Sequence, residues 1–397
     1  MMAVSNQVSN RRLQSFRLTR FQFRRDRTIG DSQVSIDDLN CLALELIDDA
    51  GLVGLGFAGA LFDTLPDLAD CEATFAARLW PMLEGRAPAA LIHRIERPRG
   101  GNQRDHLHGS SEALQVALWD LAARQADLPL ASYLGGQRTK VRAYASGLDY
   151  HLDDTAFVAF FERAAATGFS AFKIKVGHPD FARDLHRIEL LRQTVGKDAQ
   201  VMIDANEARS VKEASVNLQK IRDAGHPLLW VEDPILRNDF EGLRMLRGAV
   251  PWTQINSGEY LDMTGRRQLL QAGGTDILNV HGRISEVMQL GWLAADMGIP
   301  VSLGNTFLEM GVHTACALPE VVWMEYSFQN YDHLVEEPIL VRDGFAHVPD
   351  RPGHGLTLSA SARSDWAAPT KLSPKELRTG PDCAVLARLN AAARKKA

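Results

Sequence analysis

The chain has 397 residues, 45% of them hydrophobic and 23% charged, with a net charge of −5. That length can bury a large core and suits two domains, and the net charge gives no electrostatic footprint for nucleic acid. No apolar run approaches the roughly 20 residues that span a bilayer, and the basic N-terminus (Arg11, Arg12, Arg17, Arg20, Arg24, Arg25) lacks the apolar stretch of a secretory signal. Cys41, Cys71, Cys316 and Cys383 form no CxxC pair and suggest no disulfide framework, so a reducing, cytoplasmic placement is expected.

Leu42 to Ile47 has the composition of a strand. Asp48-Asp49-Ala50-Gly51 is a turn, and Leu52 to Phe57 can return as the second arm of a hairpin. Helical patterns follow around Pro66 to Leu83 and over Ser110 to Gln125, where Leu114, Ala117, Leu118 and Leu121 share a face. Leu134-Gly135-Gly136 ends this part, which is expected to form an N-terminal α+β capping domain over residues 1–138. Gly54-Leu55-Gly56-Phe57-Ala58-Gly59 matches GxGxxG, but a dinucleotide site needs that pattern on a strand-to-helix turn, and here it follows a hairpin turn.

From about residue 140 strand-like runs alternate with amphipathic helices, the pattern of βα units on a parallel sheet. Eight candidate strands fall near 141–147, 171–176, 200–204, 228–232, 254–258, 276–280, 300–303 and 321–325. Phe181, Leu185, Ile188 and Leu191 repeat at helical spacing, and Ser210 with Glu213 forms a capping box ahead of a stop at Gly225. The predicted fold is α/β, a modified TIM (β/α) barrel over 139–350, with 351–397 returning to the cap.

Three acidic residues close successive strand-like runs: Asp204, Glu232 and Glu259, 28 and 27 residues apart. One strand-plus-helix unit per interval brings all three to one end of a parallel barrel. Clustered carboxylates repel unless a cation neutralises them, and oxygen ligands suit a hard ion such as Mg²⁺. Any one of these acids alone is equally well explained as a helix cap or a surface pair. Asn206, two residues past Asp204, faces the same way and is a candidate for binding substrate. Lys173 and Lys175 flank Ile174 on the second barrel strand and share its inward face. Two buried ammonium groups need anions or a functional demand. Each lowers the other's proton affinity, so one of them is expected to act as a base near neutral pH.

Taken together, Lys173-Ile174-Lys175, Ile203-Asp204-Ala205-Asn206, Trp230-Val231-Glu232-Asp233-Pro234 and Gly258-Glu259 resemble the barrel signature of the enolase superfamily, in its mandelate racemase/muconate lactonizing enzyme branch. Ala117-Leu118-Trp119-Asp120 and Leu134-Gly135-Gly136 are similar to that family's capping helix, and the resemblance runs from about residue 35 to 355. It implies Mg²⁺ held by Asp204, Glu232 and Glu259, and abstraction of the proton α to a carboxylate to give an enediolate. Lys175 matches the family's base, and Lys173 matches the lysine that holds the substrate carboxylate. Glu325 matches an eighth-strand glutamate that hydrogen-bonds the same group. The resemblance also implies that residues 54–59 are a mobile capping loop and that the protein forms a homo-oligomer.

Two departures matter. The sixth strand, Asp276-Ile277-Leu278-Asn279-Val280-His281, carries His281 where the family has an Asp or a second Lys. The seventh, Val301-Ser302-Leu303-Gly304-Asn305-Thr306, lacks the His of the usual dyad. His281 is therefore expected to face Lys175 across the substrate as an acid or second base, and Asn305 joins Asn206 as a candidate for binding substrate. His313 is expected only to support packing. Polar cap residues Arg27, Thr28, Asp31, His106 and His108 would suit a polyhydroxy substrate. The expected reaction is dehydration of a small-molecule sugar acid to a 2-keto-3-deoxy acid. Racemisation, epimerisation or cycloisomerisation are the alternatives, and a relative that binds without turnover is a further one.

Overall fold

A computed structural model describes residues 11–60, 67–95, 110–304, 308–329 and 331–365. Its first part is an antiparallel sheet, β1 (Leu13–Gly30), β2 (Ser35–Asp48) and β3 (Val53–Ala60), in that order. The β2–β3 turn forms because Asp48 Oδ1 accepts from the N–H groups of Ala50 and Leu52 while Gly51 takes φ +80°. β1 was not apparent as a strand from the sequence. Arginines interrupt its alternation, and its pairing with β2 shifts register between Leu13 and Ser15 and between Arg24 and Ile29.

Helices α1 (Leu68–Arg78), α2 (Trp80–Leu83), α3 (Pro88–Ile95), α4 (Ser110–Gln125) and α5 (Leu130–Tyr133) complete the cap. α4 lies on the sheet with Leu114, Ala117, Leu118 and Leu121 buried. The glycine-rich run is strand β3, which corrects the expectation of a capping loop there. A Cβ on Gly56 would stand 1.9 Å from the Ala113 carbonyl oxygen, and one on Gly54 2.5 Å from that of Ala117. The glycines are therefore explained by the close approach of α4 to the strand. The β1–β2 turn is what reaches the barrel: Gln33 Nε2 donates to the Asn206 carbonyl, and His151 Nε2 lies 2.9 Å from that of Val34.

The barrel runs β4 (Lys140–Ser146), α6 (Asp154–Ala166), β5 (Ala171–Lys175), α7 (Phe181–Val195), β6 (Gln200–Asp204), α8 (Val211–Asp223), β7 (Trp230–Glu232), α9 (Phe240–Ala249), β8 (Gln254–Ser257), α10 (Met263–Ala272), β9 (Ile277–Val280), α11 (Ile284–Asp296), β10 (Val301–Leu303), α12 (Leu308–Ala317) and β11 (Val321–Tyr326). Each strand pairs parallel with the next, and β11 pairs with β4 to close the ring. Asp153, Asp180, Ser210, Asp239 and Asp262 each cap the helix that follows by accepting a backbone N–H, and Ser210 with Glu213 completes the capping box.

The eighth strand leads not into an eighth α-unit but into a hairpin, β12 (Val341–Arg342) and β13 (Phe345–His347), which pairs antiparallel with the start of β4. Asp343 and Gly344 both take positive φ there, the backbone that a two-residue hairpin turn requires. The chain then passes against the cap. Leu130 N–H donates to the Gly353 carbonyl at 2.7 Å, and Asp120 accepts from the N–H groups of Leu55 and His354, before α13 (Ala360–Asp365). The lower barrel interior is plugged by Tyr144, Ala171, Met202, Trp230, Ile277 and Trp323, which leaves its polar side chains to the C-terminal half of the strands.

Candidate active site

Alternation on β5 turns Lys173 and Lys175 into the barrel, where they are 1% and 7% exposed. Lys173 Nζ lies 2.5 Å from Glu232 Oε1, 3.0 Å from Glu325 Oε1 and 3.4 Å from Asp204 Oδ2, and 5.4 Å from the centre of the Tyr144 ring. Lys175 Nζ lies 2.6 Å from Asp204 Oδ2 and 2.8 Å from Asn206 Oδ1. The register places Asp204 beside Lys175 on one neighbouring strand and Glu232 on the other, so the ends of β5, β6 and β7 form one charged tier.

This tier sets the charge on both lysines. Burial is the largest influence on Lys175 and, like Lys173, works against its charge, but Asp204 with Glu259 and Glu325 together prevail, and the proton affinity of Lys175 is raised. Burial likewise opposes charge on Lys173, and Glu232 and Glu325 reverse it. Asp204, though buried, is held at about 2 by Lys175 and Lys173. In this arrangement both lysines hold their protons.

Glu259, just past β8, is 4% exposed and makes no ion pair among the described residues. Burial pushes its carboxyl up to about 8. Among the described residues no three His, Cys, Asp or Glu side chains are already gathered as a cation cage, because the Asp204 and Glu232 oxygens are turned onto the lysines. The donor set nevertheless fits a hard divalent cation. It offers three buried carboxylates at consecutive strand ends, one of them without an ion pair among the described residues.

His281 follows β9, which stands four strands from β5 in either direction around the ring. Burial and the Arg266 guanidinium push the imidazole down to about 4, so it is neutral at pH 7. Its ring meets that of Tyr260 edge-on, with centroids 5.9 Å apart. Asn206, at φ +43°, uses its side-chain oxygen on Lys175. Asn305 lies outside the described residues, as do His106 and His108. Arg27 and Thr28 are tied to the fold: Arg27 Nη2 donates to the Gly147 carbonyl, and Thr28 donates to Asp37. Asp31 accepts from the N–H groups of Gln33 and Val34 and shapes the turn over the barrel mouth. His313 is buried between the Ala131 N–H and the His354 carbonyl, a packing position.

Several contributors escaped the sequence reading. Arg266, 2% exposed on α10, donates to the carbonyls of Gly258, Glu259 and His281, so one guanidinium ties the β8 end to the β9 end. Its place one turn before the buried Leu269 and Leu270 was the available signal. Asn256 Nδ2 bridges Ser302 and Glu232, and Asp149 accepts the Lys175 backbone N–H.

The family model for enolase C-terminal domain-like proteins matches residues 156–362. An L-talarate/galactarate dehydratase of Salmonella typhimurium is 31% identical over 63% of this chain, and the match spans 63% of that protein's length. A crystal structure from Mesorhizobium loti, assigned provisionally as a mandelate racemase, is 60% identical over 94% of this chain and 98% of its own, with a TM-score of 0.87. An L-talarate dehydratase from Polaromonas sp. JS666, solved with Mg and L-glucarate, is 27% identical over 90% of this chain and 97% of its own, with a TM-score of 0.76.

Proposed function

We propose, on the premise that the chain belongs to the enolase superfamily in its mandelate racemase/muconate lactonizing enzyme branch, that it abstracts the proton α to the carboxylate of a sugar acid and eliminates the β-hydroxyl to give a 2-keto-3-deoxy acid. What carries this reading is Lys175, buried at the C-terminal end of β5 beside the acids and diametrically across the barrel from His281. Mg²⁺, for which Asp204, Glu232 and Glu259 are the proposed holders, supplies when bound a Lewis acid for charge developing on the substrate carboxylate and a competing positive charge for Asp204. Lys173, 3.4 Å from the same Asp204 oxygen, is a like charge that lowers the proton affinity of Lys175. Lys175 then accepts the α-proton and returns it to the leaving hydroxyl on the same face. Lys173, braced by Glu232 and Glu325, holds the carboxylate. Asn206 fixes the Lys175 ammonium, and Asn305 is retained as a candidate substrate contact.

One observation favours a second reading. Lys175 and His281 stand on opposite strands, the proton affinity of Lys175 raised by the surrounding acids and that of His281 lowered by burial, an acid and a base on the two faces as epimerisation or racemisation needs. Incubation of the Mg²⁺-loaded protein with a panel of sugar mono- and diacids in D₂O separates the readings. A 2-keto-3-deoxy product supports dehydration, and α-deuteration with an epimer but no keto acid supports the second. Neither, with any acid, leaves a relative that binds without turnover.

The division into a cap over 1–138, a barrel over 139–350 and a returning segment belongs to the same proposal, as do a homo-oligomeric state and a cytoplasmic location. Among the described residues no helix is long and apolar enough to cross a membrane.

A further inference from the structure

Buried N–H groups without an acceptor cluster at the seam between β1 and the segment after β11. Arg25 on β1 is 6% exposed, and its Nη1 donates to Oε1 of Gln329. Its Nε and Nη2 have no acceptor among the described residues, and neither do Nε2 of Gln329 and Nε of Arg27. The unmet atoms of Arg25, Gln329 and Arg27 are all donors. Burial lowers the Arg25 guanidinium to about 10, and Arg27 adds to that lowering. A buried cation whose hydrogen bonds are unmet is costly unless something supplies the acceptors.

The seam lies at the working end of the barrel. Arg27 Nη2 donates to the carbonyls of Gly147, just past β4, and Ser327, just past β11. Gln329 follows Ser327 by two residues, and Glu325 precedes it by two.

The protein itself shows what the free edge of Arg25 takes. Arg237 grips Glu207 through Nε and Nη2, each 2.5 Å from a carboxylate oxygen. Arg244 holds Glu241 through the same two atoms. Arg25 presents that pair of atoms buried and unspent, with its remaining nitrogen already fixed on Gln329. We propose that Arg25 and Gln329 form a carboxylate-binding site at the cap–barrel seam, taking the ligand side-on through Arg25 Nε and Nη2 with Gln329 Nε2 as a third donor. A water molecule meets one nitrogen at a time, whereas a planar carboxylate meets both at once. The carboxylate is either the far end of a diacid substrate or a separate small acid. The chemistry of recognition is the same.

Calorimetric titration of the Mg²⁺-loaded protein with succinate tests the site without turnover. Arg25→Gln and Arg25→Lys should each weaken binding about tenfold or more, the lysine variant because a point charge cannot make the paired contact. The lysine variant keeps the charge and the stem, so it serves if the glutamine variant does not fold. Binding that survives Lys173→Ala identifies a separate acid, and binding lost in Lys173→Ala as well identifies a diacid spanning both sites. A second arm, which rests on the proposed reaction, compares kcat/KM for a sugar diacid and its monoacid. For a spanning diacid, Arg25→Lys should lower the diacid value about tenfold and leave the monoacid value unchanged. No succinate binding to the wild type, or equal binding to wild type and both Arg25 variants, overturns the proposal.

Discussion

Asp204 Oδ2 stands 2.6 Å from Lys175 Nζ and 3.4 Å from Lys173 Nζ, so one carboxylate oxygen serves both ammonium groups. Lys175 cannot accept a proton while Asp204 holds it charged, and its readiness as a base is set by how strongly Asp204 is engaged elsewhere. Lys175→Ala should therefore remove α-proton exchange while leaving the Lys173–Glu325 contact to bind substrate. The expected loss in kcat is about 10²–10⁴-fold, with a small change in KM. Proton NMR of substrate in D₂O reads it directly, and wash-out at the wild-type rate would place the base on another residue.

Glu259 provides a test of the metal that does not depend on turnover. A buried carboxylate with no ion pair among the described residues destabilises the fold until a cation arrives. Mg²⁺ at about 100 times its Kd should stabilise the protein by about 2.7 kcal/mol, and EDTA should reverse the gain. Glu259→Gln should abolish most of that gain and leave the melting temperature of the metal-free protein unchanged or higher. Differential scanning calorimetry of both proteins with and without Mg²⁺ decides it. A full Mg²⁺ response in Glu259→Gln would remove Glu259 from the metal set.

The barrel was legible because its strands and helices repeat, with Asp204 and Glu232 closing their strands in register and Glu259 just past the next. The charge state of Lys175 was not, because sequence places two lysines on one face but not the 2.6 Å that separates one of them from Asp204. Arg266 was hidden for another reason. Its three acceptors are backbone carbonyls on two different loops, and main-chain contacts leave no residue-type pattern to read. The run from Gly54 to Gly59 misled in the opposite direction, since glycines that admit a helix read locally like glycines that admit a ligand or a moving loop.

That last distinction can be measured. Gly56→Ala puts a methyl group 1.9 Å from the Ala113 carbonyl oxygen, and backbone on both sides must shift to admit it. The expected cost is about 1–3 kcal/mol or more, read as a lower urea midpoint. Gly248→Ala on α9 is the control. A Cβ there meets nothing within 4 Å, so the change should be neutral or stabilise by up to about 1 kcal/mol. Equal midpoints for the two variants would mean that α4 is not packed on β3 as closely as the structure shows.

His313 joins the cap, the barrel and the returning chain. Its Nδ1 accepts from Ala131 N–H at 3.2 Å, and its Nε2 lies 3.1 Å from the His354 carbonyl, a pairing that requires the neutral ring protonated on Nε2. Burial, with His354, pushes its pKa down from 6.5 to about 3. The unfolded chain thus binds a proton near pH 6.5 that the folded protein refuses until about pH 3. More protons are bound unfolded across that window, so the contribution of His313 is full above pH 6.5 and declines as pH falls through it. The loss is about 1.4 kcal/mol per pH unit at its steepest. His313→Gln offers the same acceptor and donor without titrating. It should cost about 1–2 kcal/mol at pH 7 through imperfect geometry and flatten the decline between pH 6 and 4. Urea unfolding at pH 7, 6, 5 and 4 for both proteins gives the two slopes. Because the other titrating groups are common to both, the difference between the slopes isolates His313, and parallel slopes would mean that its ring is already charged in the folded protein.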